Sequence, residues 1–111
     1  MEWTIKMHRP ERTEYDGVII PEKTEKYTIP FESQQQVYYT HKKKWWKKNS
    51  PWVITKTRVI GMWATNTYGV TLHNDYHLDK SEFQYLFTDR EEAIEFCLKK
   101  NAHAKVKIYG E

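Results

Sequence analysis

One cysteine stands among the 111 residues of this chain, so no disulfide framework can form within it. Cys97 falls on the apolar stripe of a predicted helix, which suits a small core residue better than a nucleophile and points to a reducing, cytoplasmic compartment. Glycine and proline are scarce, with four of each. With 39% hydrophobic and 15% aromatic residues, that scarcity argues against disorder despite a charged fraction of 30%, and a single domain over residues 1–111 with one modest core is expected. No run approaches the length of a membrane span and no apolar leader opens the chain, so neither membrane insertion nor secretion is expected. A glycine-rich phosphate loop, paired metal-binding cysteines and a nucleophile elbow are all missing, which removes the familiar enzyme signatures. No catalytic residue, cofactor or metal is expected, and a net charge of +3 is too small to name a partner.

What is present reads mostly as sheet. Trp3, Ile5 and Met7 alternate with polar residues as a first strand, Tyr15-Asp16-Gly17 marks a turn, and Tyr27, Ile29 and Phe31 alternate again, with Pro21 and Pro30 keeping these strands short or at an edge. Residues 34–36 are polar loop. Residues 52–63 form one long or bent strand in which Gly61 permits a bulge, and Asn66 to Gly69 turns the chain into a returning strand at Val70 and Leu72. Phe83, Tyr85 and Phe87 read as a half-buried strand leading into the clearest helix, residues 88–100. Thr88 and Glu91 form its capping box; Ala93, Ile94, Cys97 and Leu98 form its apolar stripe; Asn101 is expected to end it in the left-handed conformation. A terminal strand carries Val106 and Ile108. The fold class expected is α+β: an antiparallel, twisted sheet of about five to seven strands or a small barrel, with one helix packed on it near the C-terminus.

Charge is concentrated only between residues 41 and 52, where five lysines flank Trp45 and Trp46. Lysines attract phosphates at long range and indoles stack on bases, so Lys44, Trp45, Trp46, Lys47 and Trp52 are the candidate ligand- or partner-binding residues, with Arg58 of the long strand added near the phosphates. The blander reading is preferred for the run itself: a hairpin tip with solvated lysines and tryptophans folded back over the sheet. For Arg58 solvent is likewise preferred over an anion pocket. A second constellation, His73, Asp75, His77 and Asp79, would point one way on an extended strand, but positions two apart are about 6.6 Å from each other, too far for one metal to collect more than two. The preferred alternative is a hairpin turning at Asn74-Asp75, with Leu72, Tyr76 and Leu78 turned inward. His8, His41 and His103 are isolated.

Leu86-Phe87-Thr88-Asp89-Arg90-Glu91-Glu92-Ala93 comes close to a Leu-Phe-x-Thr-x-Glu-Glu-Ala pattern, departing from it at Asp89, where the pattern has threonine. Over residues 37–98 the chain resembles small uncharacterised proteins of phages and prophages of low-GC bacteria. The resemblance implies a non-enzymatic binding protein that inhibits a host defence system, acting in the host cytoplasm by sequestering a nucleotide-type anionic signal or by blocking a host defence protein. Two other classes stand behind it: a nucleic-acid-binding protein using residues 42–48, and then a metal-dependent hydrolase using residues 73–79. Self-association is left open.

Overall fold

The computed structural model describes residues 3–111. Trp3–Arg9 (β1), Arg12–Thr13 (β2), Ile19–Ile20 (β3) and Lys23–Ile29 (β4) build one long antiparallel hairpin. Trp3 lies opposite Ile29, Arg9 opposite Lys23, and Arg12 opposite Ile20. Pro10 and Pro21 interrupt the ladder between the two paired regions, because proline has no N–H to donate. At the far tip Gly17 adopts φ +86 and donates to Glu14 O at 2.9 Å, the turn that Tyr15-Asp16-Gly17 predicts.

The main sheet comprises Gln36–Lys42 (β5), Trp52–Ala64 (β6), Tyr68–Leu72 (β7), His77–Asp79 (β8), Leu86–Phe87 (β9) and Ile108–Tyr109 (β10). Its order is β8-β7-β6-β5-β9, all antiparallel, and β10 joins β6 in parallel at Ile54 and Thr55, on the edge away from β5. Strand β6 is the long strand expected, with its register shifting between Val59 and Gly61. The sheet is open: β8 and β9 are its two edges and do not pair. No barrel forms, because a 3-10 helix, Lys80–Tyr85, joins those edges where closure would need a further ladder.

Side chains alternate across β5 and β6, so each face supports its own core. One holds Val37, Val59, Val70, Leu72, Leu78 and Leu86 against Ile29 and Phe31 of the first hairpin. The other holds Tyr38 and Ile54 against Ala93 and Cys97 of the helix Arg90–Lys100 (α1), with Trp52, Ile94 and Phe96 at its margin. The Cys97 thiol is buried and pushed up to about 11 by that burial, which agrees with a packing role.

Three local expectations are corrected around α1. Phe83 and Tyr85 lie in the 3-10 helix and not in a strand; positions three apart eclipse there, so Phe83 and Leu86 enter the hairpin-side core together. The cap of α1 is Asp89, not Thr88: the Asp89 carboxylate accepts from Glu91 N at 2.9 Å, and an aspartate adds a charge favourable to the helix dipole. A capping box does occur, but at Asp79 and Glu82, where it starts the 3-10 helix. Asn101 has φ −93, and the left-handed residues are Ala102 and His103. The Asn101 amide is engaged elsewhere: Trp52 N donates to its Oδ1 at 2.7 Å, and its Nδ2 donates to Trp52 O at 2.9 Å, fixing the start of β6.

The principal extents are 57 × 35 × 21 Å, and the radius of gyration of 17.8 Å exceeds the roughly 13 Å of a compact chain of about this length. Much of the length is the first hairpin, which runs on past the Ala64 end of β6 as an arm, while the lysine-rich loop caps the Trp52 end. Among the described residues no helix is long and apolar enough to cross a membrane.

Candidate functional site

The loop between β5 and β6, residues 43–51, is held by short-range bonds. Lys43 N donates to Pro51 O at 2.9 Å, Lys44 N to Ser50 Oγ at 2.7 Å, and Lys47 N to Lys44 O at 3.0 Å. This turn geometry lifts both indoles off the sheet. Trp45 is 81% and Trp46 63% exposed, and their rings meet edge to face at 6.0 Å. The expectation that the tryptophans fold back over the sheet is thereby corrected. Lys44 and Lys47 are exposed beside them, and among the described residues no carboxylate pairs with any lysine of 42–48.

Below this loop lies a concavity of about 430 Å³ where β9 stops pairing with the outer edge of β5. Trp45 forms its rim with Lys42 and Lys43, and Tyr39, His41, Trp52, Tyr76 and Tyr85 supply rings. These rings come from four segments, each positioned locally. Trp52 is half-buried against Tyr85 at 5.7 Å and Phe96 at 5.5 Å, with the Lys100 ammonium 5.7 Å above it. Thr40 donates its hydroxyl to Tyr85 O at 2.8 Å, which ties the 3-10 helix to β5. Tyr76 was expected to turn inward, but it is 50% exposed and meets Tyr39 edge to face at 5.9 Å. The turn before it explains this, because Asp75 at φ +66 lets Leu72 N reach Tyr76 O at 2.8 Å and lifts Tyr76 beside the cleft.

His41 stacks on Tyr39 at 4.9 Å. Its Nδ1 lies 3.0 Å from Lys42 O and its Nε2 lies 2.8 Å from Thr55 Oγ1, so Nδ1 donates and Nε2 accepts. Burial lowers its pKa, the Lys42 carbonyl opposing, which disfavours the charged ring. The Tyr39 phenol is raised by burial and then by the nearby Glu82 carboxylate. Positive charge at this site therefore comes mainly from lysine.

Lys44, Trp45, Trp46, Lys47 and Trp52 are thus brought to one end of the sheet. Arg58 is not among them. It stands six residues along β6 from Trp52, roughly 20 Å at strand rise, exposed beside a smaller concavity of about 290 Å³ that Lys56 and His73 also line. The residues His73, Asp75, His77 and Asp79 are dispersed: Asp75 is in the turn, His77 Nδ1 lies 3.1 Å from Thr71 Oγ1, and Asp79 caps the 3-10 helix. Among the described residues no three His, Cys, Asp or Glu side chains are placed to hold a metal ion.

A larger concavity, about 850 Å³, lies at the other end of the molecule, between the base of the arm and the turn after β6. Sequence reasoning missed it because its walls come from residues 6–23 and 64–66, where basic and acidic residues are mixed and no run of one sign marks them. Comparison with protein-family models, with curated proteins and with solved structures finds no match to this chain.

Proposed function

We propose that this is a non-enzymatic binding protein whose lysine-tryptophan loop and the aromatic cleft beneath it take a nucleotide-type anionic ligand. The observation that carries the reading is the junction of exposed Trp45, unpaired lysines and a cleft of about 430 Å³ lined mainly by aromatic rings, with the Glu82 carboxylate in its wall directing an anion toward the lysine side. Small-ligand sites are concavities from about 300 Å³ upward, lined by rings with few polar groups, and this cleft falls at the lower end of that range. A base stacked on Trp45 or Trp52 would leave its phosphates toward Lys42, Lys43 and Lys44, and with the charged form of His41 disfavoured by burial the phosphate attraction falls mainly to these lysines. The resemblance to phage proteins adds a role for such binding: sequestering a nucleotide signal of a host defence system.

The test is quenching of tryptophan fluorescence by a panel of mononucleotides and dinucleotides, compared with the Trp45→Ala, Trp46→Ala double variant. Saturable quenching that the double variant loses is expected. Binding that survives this change together with neutralisation of the lysines at 42–48 would overturn the proposal. An affinity that appears only with single-stranded oligonucleotides and falls steeply with salt would instead assign the loop to a nucleic-acid strand.

A further inference from the structure

The arm-base cleft carries an inference independent of the loop. Arg9 and Lys23 are direct cross-strand partners in the β1–β4 ladder, and both line the cleft. Like charges placed directly opposite in an antiparallel pair destabilise it unless something between them compensates. Of the neighbouring basic side chains, Arg12 Nε lies 3.3 Å from Glu14, Lys23 Nζ 3.1 Å from Glu25 and the His8 ring 3.3 Å from Glu22, whereas Lys6, also in the lining, has no carboxylate partner among the described residues. Arg9 has none among the described residues. Its guanidinium donates one bond, from Nη2 to Asn66 O at 3.3 Å, which draws it across the cleft mouth and leaves its other donors uncommitted. Two hairpins distant in sequence thus converge on an arginine positioned by a backbone carbonyl and faced by a lysine.

We propose that this cleft is a phosphate-binding site in which Arg9 grips two phosphate oxygens and Lys23 supplies a point charge from the facing strand. A planar guanidinium matches two oxygens of one phosphate, and Lys23, whose charge is shared with Glu25 at 3.1 Å, adds a second and weaker attraction from the facing strand. Met7 and Ile20 give the cleft an apolar floor against which the rest of the ligand lies. The same chemistry would accept the phosphate of a small metabolite or of a nucleic-acid backbone.

Pyrophosphate and a short single-stranded oligonucleotide separate these sources when each is titrated into isotope-labelled protein carrying Trp45→Ala and Trp46→Ala. Pyrophosphate is expected to shift the amide resonances of Arg9, Lys23 and Asn66, and Arg9→Gln should weaken its binding about tenfold, the loss expected for one charge-assisted contact. Shifts at these three amides with the oligonucleotide alone, abolished by Arg9→Gln, would place the phosphate in a nucleic-acid backbone and sustain the site. If Arg9→Gln loses its spectral dispersion, Lys23→Gln serves in its place. Shifts confined to residues 42–48 with both probes, or equal affinity in the parent and the Arg9 and Lys23 variants, would overturn the proposal without touching the loop's own ligand.

Discussion

The two ends of this elongated protein are both rich in cations, and they use them in opposite ways. At the loop end the lysines follow one another in sequence, have no carboxylate partners among the described residues, and stand beside exposed Trp45 and Trp46. At the arm end glutamates lie among the basic residues, and Arg12 and Lys23 are each paired with one. The loop end therefore presents its positive charge diffusely, whereas at the arm end the geometry singles out the Arg9 guanidinium. A run of charge is visible in sequence but weakly specific; a single arginine held by a distant carbonyl is invisible in sequence and more specific.

The largest expected effects ask whether the two ends are coupled. Strand β6 contributes Ile54 to the core beneath the helix and Val59 to the core beneath the arm hairpin, and both side chains are fully buried. Ile54→Ala should cost about 2 to 5 kcal/mol in urea unfolding, through lost burial and the cavity left behind. If the shared strand makes one cooperative unit, the unfolding slope stays unchanged and tryptophan fluorescence and far-UV circular dichroism report one transition; two separated transitions would show that the ends unfold apart. Next in size is the loop itself. Trp45→Ala with Trp46→Ala should weaken nucleotide binding by about 1 to 3 kcal/mol for each base stacked, while stability changes by less than about 0.5 kcal/mol, because these rings contribute little to either core. A large loss of stability in that variant would show that the loop supports the sheet and would erase the contrast between the ends.

Smaller again is the cap of α1. Asp89→Ala should destabilise by about 1 kcal/mol in thermal or urea unfolding, and Thr88→Ala by much less, since the Asp89 carboxylate holds Glu91 N. The reverse order would restore the cap that sequence spacing suggests.

The fold was legible where the determining interactions are local. The bulge at Gly61, the turn at Tyr15-Asp16-Gly17, the return at Asn66 to Gly69 and the stripe of Ala93 and Cys97 all depend on neighbours within a few residues. Legibility ended where one pattern has two solutions. Phe83, Tyr85 and Phe87 alternate as a strand, yet Phe83 and Leu86 satisfy the same core equally well three apart, and the Asp79 cap decides for the 3-10 helix. Asn101 fits a left-handed end until its amide is captured by Trp52, a partner 49 residues away. The candidate site divides likewise. Its loop can be read as a run of lysine and tryptophan, but the cleft beneath draws Tyr39, Trp52, Tyr76 and Tyr85 from four segments, and nothing in the chain marks that they meet.

The smallest expected effect places one carboxylate from each half of the molecule under acid. Glu111 follows β10 on the helix side, where Arg90 donates to it from Nε at 2.8 Å, and that contact, with the nearby Lys56 charge adding to it, holds its pKa below the usual value. Asp79 lies opposite Gly69 on the arm side, and its pKa is lowered by the Ser81 hydroxyl first and by the backbone amides of Ser81 and Glu82 after it. Both groups ionise more readily folded than unfolded, so their contributions are present above the unfolded carboxylate pKa and are lost as pH falls through the folded values. Melting temperature should therefore decline on acidification through and below the ordinary carboxylate range, and Glu111→Gln and Asp79→Asn should each flatten part of that decline. Glu111 is exposed and Asp79 only half-buried, so solvent screens both and each share is small. Salt distinguishes them: the Glu111 share rests on the Arg90 ion pair and should shrink at high ionic strength, whereas the Asp79 share rests on capping hydrogen bonds and should persist. Equal loss of both shares in salt would mean that Asp79 acts as a bare charge rather than as the cap of the 3-10 helix.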